Sequence, residues 1–455
     1  MGSGARLGGI HGSCVTGFVW LLIALSIGGC TSAPEAFKSV TPPTVRLGPI
    51  IELMNVHKRD LGGLQAIAMP DGGIHVFLAV SGDKQVFDLL VRPDGSVERH
   101  TIGLRNTEGV TFLDGAFDAA GKLHALIGRD HLVLETDGWR NSWVTPWSAA
   151  GIKDVEARFV PGAPNLTWCF QVNGGDVGAP VRWDWAGFAA GPGAIIFPWP
   201  VHGSRAVVVS ETKDGFGPWI VLDPEGKEDT VAGGVASDAR GNVSVAYERS
   251  RPSFIFPPMF PELYYARIPA EMLQGGESTA PNSSPGRPGR TLMLAFSRGH
   301  KAVPLGTSLK GKALEDHPYY PIAVDPRSGV ALIYPSVVAS GDTLGGPRRY
   351  FNGPKIDDTF ALDYGSRSSS FAPAGGDRFH SVVQMAGGES EGYVQYRLFS
   401  HGAWSLPVEL DQRKPSLLSD WHAAWPVVVA TSDGAAVAVW RSKDAVVAQW
   451  IWAGD

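Results

Sequence analysis

The chain has 455 residues and a formal net charge of −6, so it lacks the concentrated basic charge that nucleic-acid binding requires. Its 57 glycines and 34 prolines exceed ordinary usage, and no segment keeps a helical apolar period over many turns, which excludes a helical bundle. Its three cysteines are Cys14, Cys30 and Cys169. We predict that Cys169, in a strand-like run, is a buried apolar residue without a disulfide partner.

The first predicted element is the apolar run from Val15 to Ile27, which follows Arg6 and ends in Ile27-Gly28-Gly29-Cys30. It is shorter than the roughly 20 residues of a membrane-spanning helix and has the three parts of a secretory signal. Its last four residues resemble the lipobox of bacterial lipoproteins. The resemblance implies cleavage after residue 29, acylation of Cys30 and, because residue 31 is not Asp, sorting to the outer membrane. A plain secretory signal is the alternative.

The rest of the chain is predicted to be one domain on a tether. We assign residues 1–29 to the signal, 30–49 to an extended, proline-containing tether, and 50–455 to a single domain. Two surface insertions are expected near residues 248–262, which are rich in Phe and Pro, and near residues 275–290, which are polar.

One unit recurs through this domain: a short apolar strand, a tight turn containing Asp and Gly, and a second apolar strand. Such a unit is typical of a β-hairpin. The turns begin at Asp71, Asp118, Asp238, Asp325 and Asp433, and weaker units begin at Glu156, Arg205 and Phe379. Repeats of this size predict an all-β fold, a β-propeller of about seven blades. Six or eight stay open, because residues 206–230 form either a blade or the outer strands of a neighbour. Residues 44–54 are expected to close the ring as the last outer strand.

Two stretches carry a resemblance to a known group. They are Asp238 to Tyr247 followed by ELYYARI, and LFSHGAWSLPVEL, where Ser400, Gly402, Trp404 and Ser405 stand at a turn. Both resemble the sialidase-like or BNR-repeat propellers of bacterial envelope proteins, although no complete Ser-x-Asp-x-Gly-x-x-Trp turn is present. Arg267-Ile268-Pro269 is similar to the arginine motif of the enzymatic members, but it ends a predicted strand in mid-chain, and we interpret it as unrelated.

Ionisable residues precede the predicted inner strands, and in a propeller such loops meet at one mouth. Asp residues of ordinary tight turns are the alternative explanation for part of this pattern. The predicted ligand-binding residues are Arg59, Asp60, Arg105, Glu108, Asp154, Arg205, His317, Tyr320, Arg378, His380, Asp420 and His422. A mouth with these groups suits a polar ligand such as a glycan or a protein segment.

Catalytic motifs are mostly missing from the sequence. There is no P-loop, dinucleotide glycine pattern, HExxH pair or paired-cysteine metal site, so we predict no cofactor and no metal. Residues 388–392 match GxSxG but are expected to join two strands, unlike a nucleophile elbow. A non-catalytic, membrane-anchored binding protein is favoured. The alternative is a sialidase-like hydrolase, which would need two carboxylates and an arginine cluster formed by Arg59, Arg105, Arg205 and Arg378.

Overall fold

The computed structural model describes part of the chain. The described residues are 44–56, 61–80, 85–103, 113–128, 130–142, 145–149, 152, 155–173, 182–187, 196–201, 204–213, 215–222, 229–250, 262–274, 303–307, 322–333, 348–350, 366–376, 378–386, 392–400, 403–411, 426–442 and 444–453. The chain divides into two units, residues 1–41 and residues 42–455. All described residues lie in the second unit.

Strands make up nearly all of the regular structure in these ranges. In chain order they are β1 (Val45–Asn55), β2 (Leu61–Ala68), β3 (Ile74–Val80), β4 (Gln85–Val91), β5 (Val97–Ile102), β6 (Leu113–Phe117), β7 (Leu123–Ile127), β8 (Asp130–Glu135), β9 (Gly138–Asn141), β10 (Glu156–Phe159), β11 (Thr167–Asn173), β12 (Arg182–Gly187), β13 (Ile196–Val201), β14 (Ser204–Thr212), β15 (Gly215–Phe216), β16 (Ile220–Val221), β17 (Asp229–Ser237), β18 (Val243–Ser250), β19 (Glu262–Ile268), β20 (Val303–Thr307), β21 (Ile322–Val324), β22 (Ala331–Ile333), β23 (Arg348–Tyr350), β24 (Ser366–Gly375), β25 (Arg378–Ala386), β26 (Gly392–Ser400), β27 (Ala403–Trp404), β28 (Val408–Asp411), β29 (Val427–Ala430), β30 (Ala436–Ser442) and β31 (Ala445–Ala453). The helices α1 (Pro146–Ala149) and α2 (Ala270–Leu273) are one turn each. Within the described ranges, no helix has the length and hydropathy needed to cross a bilayer.

Among the described strands, seven antiparallel sheets of three to five strands are arranged as the blades of a propeller. Blade 1 is β2–β5, blade 2 is β6–β9, blade 3 is β10, β11 and β14–β16, blade 4 is β17–β20, blade 5 is β21–β23, blade 6 is β24–β28, and blade 7 is β29–β31 with β1. Among the described strands, β12 and β13 pair with each other and with no blade. The predicted all-β propeller is confirmed, and seven sheets fall within the predicted range of blade numbers.

The first strand of each blade lies on the inside of the ring. β2 contacts β6 and β29, β6 contacts β10, β21 contacts β17 and β24, and β24 contacts β29. Between blades 3 and 4, β17 contacts β11 and β14. The ring order therefore follows the chain order.

The apolar core lies between neighbouring blades. On β3, Val76 belongs to the apolar cluster that includes Val439 of blade 7, whereas Phe77, the next residue, belongs to the cluster that includes Leu123 of blade 2. Successive side chains of a strand point to opposite faces of the sheet. Both faces of this blade are thus buried at β3, which explains why β3 is apolar at every position except His75 and does not alternate with polar residues.

All five predicted turns join the first strand of a blade to its second strand. In the turn of blade 4, Asp238 Oδ1 accepts hydrogen bonds from the backbone N–H groups of Arg240 and Asn242, at 2.9 and 3.0 Å. Gly241 has a φ of 86° there, a conformation that glycine adopts without steric cost. Local turn chemistry therefore predicted these hairpins correctly.

The structure decides between the two alternatives for residues 206–230. β14 pairs with β11, and β16 pairs with β14, so the strands described between residues 206 and 221 are outer strands of blade 3 and not a separate blade, and residues 229–230 begin β17. The predicted closing strand is confirmed, because β1 pairs with β31 along its length. The predicted tether boundary at residue 49 is wrong, since residues 45–49 already belong to β1.

Candidate functional site

The strand order gives the ring two edges with different loops. We call the edge where the chain enters each first strand the mouth edge. In an antiparallel blade, the connection from the second to the third strand lies at this same edge. The Asp turns and the connections from third to fourth strands lie at the opposite edge, which we call the turn edge.

Five of the predicted ionisable segments precede first strands, as expected. They lead into β2, β6, β10, β21 and β29, and they contain Arg59, Asp60, Arg105, Glu108, Asp154, His317, Tyr320, Asp420 and His422. These nine residues lie outside the described residues, as does Cys30. Ligand contact by the nine, and acylation of Cys30, stay predictions.

Arg205 lies at the mouth edge, but it belongs to a third strand and not to a loop before a first strand. It is the second residue of β14, opposite Val172 near the end of β11. It therefore follows a connection from second to third strand and does not precede a first strand. Its side chain is buried, with 2% exposed.

The prediction that Arg378 and His380 precede a first strand is wrong. Both belong to β25, which pairs with β24 on one side and with β26 on the other and is thus the second strand of blade 6. Arg378 pairs with Gly375 in the register and donates from Nε to its carbonyl at 3.2 Å, so it lies at the turn edge. Arg205 and Arg378 consequently lie at opposite edges of the ring, and the described arginines do not form the cluster that the hydrolase alternative needs.

His380 is enclosed within its blade. Its ring is fully buried, and its Nδ1 lies 2.7 Å from the hydroxyl of Tyr396, which is also fully buried. Burial lowers the pKa of His380 to about 4 and raises the pKa of Tyr396, because a low-dielectric surrounding disfavours the charged form of each group. The imidazole is neutral at pH 7.

Asp114, on β6, is a buried acid with a raised pKa. Its Oδ2 accepts the backbone N–H of Phe159 on β10 at 2.7 Å, and its Oδ1 accepts bonds from Gly115 N at 2.8 Å and Gln65 Nε2 on β2 at 3.3 Å. Burial raises its pKa to about 6, although these hydrogen bonds and nearby Arg158 favour the charged form. The carboxyl group therefore links the first strands of three blades.

Sequence reasoning missed the β12–β13 hairpin. It lies between the second and third strands of blade 3 and thus arises from the mouth edge. Its register pairs Trp183 with Pro200, Asp184 with Trp199, and Trp185 with Pro198. The signal was present as RWDW followed by FPWP, since aromatic residues favour strands and proline is tolerated in strands that lie at an edge.

Other chemistry-bearing residues have structural roles. Arg267 donates from Nη2 to Asp238 Oδ2 at 2.7 Å, across the turn edge of blade 4, which supports its interpretation as unrelated to an enzyme motif.

Cys169 is a buried free cysteine whose thiol pKa is raised by burial to about 11. In the sequence, residues 388–391 of the GxSxG match stand between the antiparallel strands β25 and β26, and Gly392 is the first residue of β26. Within the described ranges, no group of three or more His, Cys, Asp or Glu could hold a metal ion.

No protein-family model and no curated protein matches the sequence. Among solved structures, a protein of unknown function from Dyadobacter fermentans is similar, with 9% identity and a TM-score of 0.46 over 90% of this chain and 99% of that one. A lectin from Aleuria aurantia, solved with Fucα1-6GlcNAc, has 10% identity and a TM-score of 0.36 over 89% and 94%. A sialidase from Streptococcus pneumoniae has 8% identity and a TM-score of 0.37 over 88% and 70%. Matches at this level carry no conclusion about the ligand of this chain.

Proposed function

We propose that this chain is a lipid-anchored envelope protein that binds a polar glycan at the mouth edge without converting it. The observation that supports this most is the strand order. Five segments rich in Arg, Asp, Glu and His lead into first strands, so all five join the ring at one edge. Loops carried at one edge of a rigid scaffold commonly form binding sites.

A glycan suits the chemistry of these segments. Sugar hydroxyl groups both donate and accept hydrogen bonds, and carboxylate, guanidinium and imidazole groups provide the complementary acceptors and donors. The β12–β13 hairpin arises from the same edge and has the sequences RWDWAG and IFPWPV; tryptophan as a residue type combines a large apolar surface with one N–H donor. A protein segment is the competing ligand, and the experiment below distinguishes it.

Two observations favour binding over hydrolysis. Arg205 and Arg378 lie at opposite edges, so they cannot hold one substrate carboxylate together. Asp114 has the raised pKa that a general acid requires, but its oxygens accept bonds from Phe159, Gly115 and Gln65, and it is buried. Those bonds support a structural role for this carboxyl group.

The proposed anchor is the cysteine that follows Ile27-Gly28-Gly29. Two or more acyl chains hold a protein stably on a bilayer, at about 0.8 kcal/mol for each buried methylene group, whereas one chain holds it only marginally. We propose that acylated Cys30 tethers the propeller to the outer membrane.

The test is a glycan and peptidoglycan array with the full chain in detergent, scored for retention and, by mass spectrometry, for released products. A double variant, Arg105→Ala with Glu108→Ala, is expected to lower affinity for the retained glycan about tenfold or more, which equals about 1.4 kcal/mol or more.

The matched control is Arg92→Ala with Glu98→Ala, which removes an exposed ion pair of 2.6 Å at the turn edge of blade 1. This variant should keep full affinity. Equal losses in both variants would contradict a site at the mouth edge, released product would contradict binding without conversion, and retention of peptides alone would replace the glycan by a protein segment.

A further inference from the structure

The strand that closes the ring has a defined direction. β1 begins with Val45 opposite Ala453, the last residue of β31, and ends with Asn55 opposite Ala445, the first. β31 is the third strand of blade 7, so it runs from the mouth edge to the turn edge. Since β1 is antiparallel to β31, the chain enters the propeller at the turn edge and reaches the mouth edge ten residues later.

The beginning of β1 is held firmly at that edge. Val45 and Leu47 pack against the apolar cluster between blades 6 and 7. The guanidinium of Arg46 lies over the ring of Trp452, 4.6 Å from its centroid, and Gln449 Nε2 donates to the carbonyl of Gly48 at 2.7 Å. These contacts fix where the preceding residues leave the propeller.

We infer that the turn edge of the propeller faces the bilayer and that the mouth edge faces away from it. The inference rests on the proposed anchor at Cys30. The two edges are thereby assigned to different surroundings: the turn edge to the lipid surface and the mouth edge to the ligand.

The reach of the tether supports this orientation. Fifteen residue steps separate Cys30 from Val45, and at about 3.1 Å per residue the reach of that many steps is limited to about 47 Å. To bring the mouth edge to the bilayer, the tether would have to run back along the whole of β1, which at eleven residues is about 35 Å long. That path would consume most of the tether and restrict its conformations, which costs entropy.

The charges of the turn edge neither repel an anionic bilayer nor attract it strongly, so the orientation depends on the tether. They are mixed in sign. Three ion pairs lie there, Arg92 with Glu98, Lys122 with Glu135, and Arg140 with Asp137. The turns that contain Arg240 and Arg327 also contain Asp238 and Asp325, so acidic groups accompany the described basic groups, unlike the polybasic segments that bind anionic lipids. The orientation is therefore expected to be the same in vesicles of neutral lipid.

The experiment uses the full, acylated chain in phosphatidylcholine vesicles that carry a spin-labelled headgroup quencher. Two matched single-cysteine variants receive the same fluorophore: Ala120→Cys in the exposed turn of blade 2, and Gln85→Cys at the exposed start of β4, at the mouth edge. Cys169 is buried and its thiol pKa is raised, so the chain without an added cysteine measures background labelling. Quenching is expected to be several-fold stronger for Ala120→Cys than for Gln85→Cys.

A second pair, Arg240→Cys at the turn edge and Asn55→Cys at the mouth edge, repeats the comparison in case one of the first variants does not fold. Equal quenching at the two edges, or stronger quenching at the mouth edge, would overturn the orientation. The anchor is tested separately by Cys30→Ser in each background, which should remain unbound to vesicles. Vesicle binding that survives Cys30→Ser would overturn the anchor and the orientation with it.

Discussion

His380 and Tyr396 form a fully buried hydrogen bond of 2.7 Å between the second and third strands of blade 6. Two other blades have a polar pair in the same register. In each of these blades the histidine lies near the start of the second strand, and its partner lies on the third strand. The partner stands opposite the residue that follows the histidine by two positions. The pairs are His75 with Asp88 at 2.7 Å and His124 with His131 at 2.9 Å. His75 and His124 are the second residues of β3 and β7, so these pairs belong to the repeated structure of the blades.

Replacing His380 tests the consequence of its burial. The folded pKa of about 4 lies below the ordinary value of about 6.5, so the unfolded chain takes up the proton first as pH falls. Wild-type protein should therefore lose about 2 kcal/mol of unfolding free energy from this group between pH 7 and pH 4.5. His380→Phe should lack that loss in urea unfolding at the two pH values, although it is less stable at pH 7 because Tyr396 loses its partner. Tyr396→Phe, the control, should keep the pH dependence.

Asp114→Asn should change the pH dependence in the opposite direction. The folded pKa of about 6 lies above the ordinary value of about 3.9, so stability from this group is present at low pH and is lost as pH rises. Relative to wild type, the variant should gain about 2 kcal/mol between pH 4.5 and pH 8 in chemical unfolding.

The matched control for Asp114 is Ser370→Ala in blade 6. Ser370 Oγ accepts the N–H of Val428 on the next first strand at 3.1 Å, as Asp114 accepts that of Phe159. Its loss should cost about 1–3 kcal/mol at both pH values. A pH-dependent cost in Ser370→Ala, or none in Asp114→Asn, would contradict the assignment.

Gly115→Ala should destabilise the junction of blades 1 and 2. A Cβ at this position would collide with Ile67 and lie 2.8 Å from Phe77 Cε2, and overpacking of this kind costs about 1–3 kcal/mol. Gly103→Ala, where nothing lies within 4 Å of the added Cβ, should be neutral in the same thermal unfolding measurement. Adding Ile67→Val to Gly115→Ala should recover part of the loss, and the absence of any recovery would count against this packing explanation.

Arg267→Ala separates a structural role from a catalytic one. The side chain bonds to buried Asp238 at the turn edge, so its loss should cost about 1.5–3 kcal/mol of unfolding free energy and leave glycan retention unchanged. Arg267→Lys should recover part of the stability. A loss of retention with unchanged stability would instead support the similarity to the enzyme motif.

Cys30→Ser tests the anchor in cells. The precursor should remain without lipid and should leave the membrane fraction, as measured by fractionation and by incorporation of labelled fatty acid. Unchanged fractionation would show that the lipoprotein prediction is wrong. Cys169→Ser is the control, because that cysteine lies inside blade 3.

The hairpins could be predicted from the sequence because their turns are local. Asp71, for example, accepts the N–H of Gly73 two residues later, so a few neighbouring residues determine the turn. The closing strand was predictable for a related reason: the final blade ends in apolar strands, and an unpaired edge needs a partner.

The edge at which a residue lies could not be predicted in the same way. The sequence predicts a loop before an inner strand at His380, because the inner strand β24 has the sequence SRSSSFAPAG and lacks a strand-like apolar pattern. Arg205 belongs to a strand whose partner, β11, lies beyond the intervening residues 174–203.

The repeated turns, the all-β class and the strand that closes the ring could be read from the amino-acid sequence, because each depends on residues close together in the chain or on an apolar run. The innermost strand of each blade, the partners in the buried polar pairs and the edge at which the chain enters became known from the fold alone. They depend on pairing between distant strands, where a shift of one residue reverses the face of every side chain.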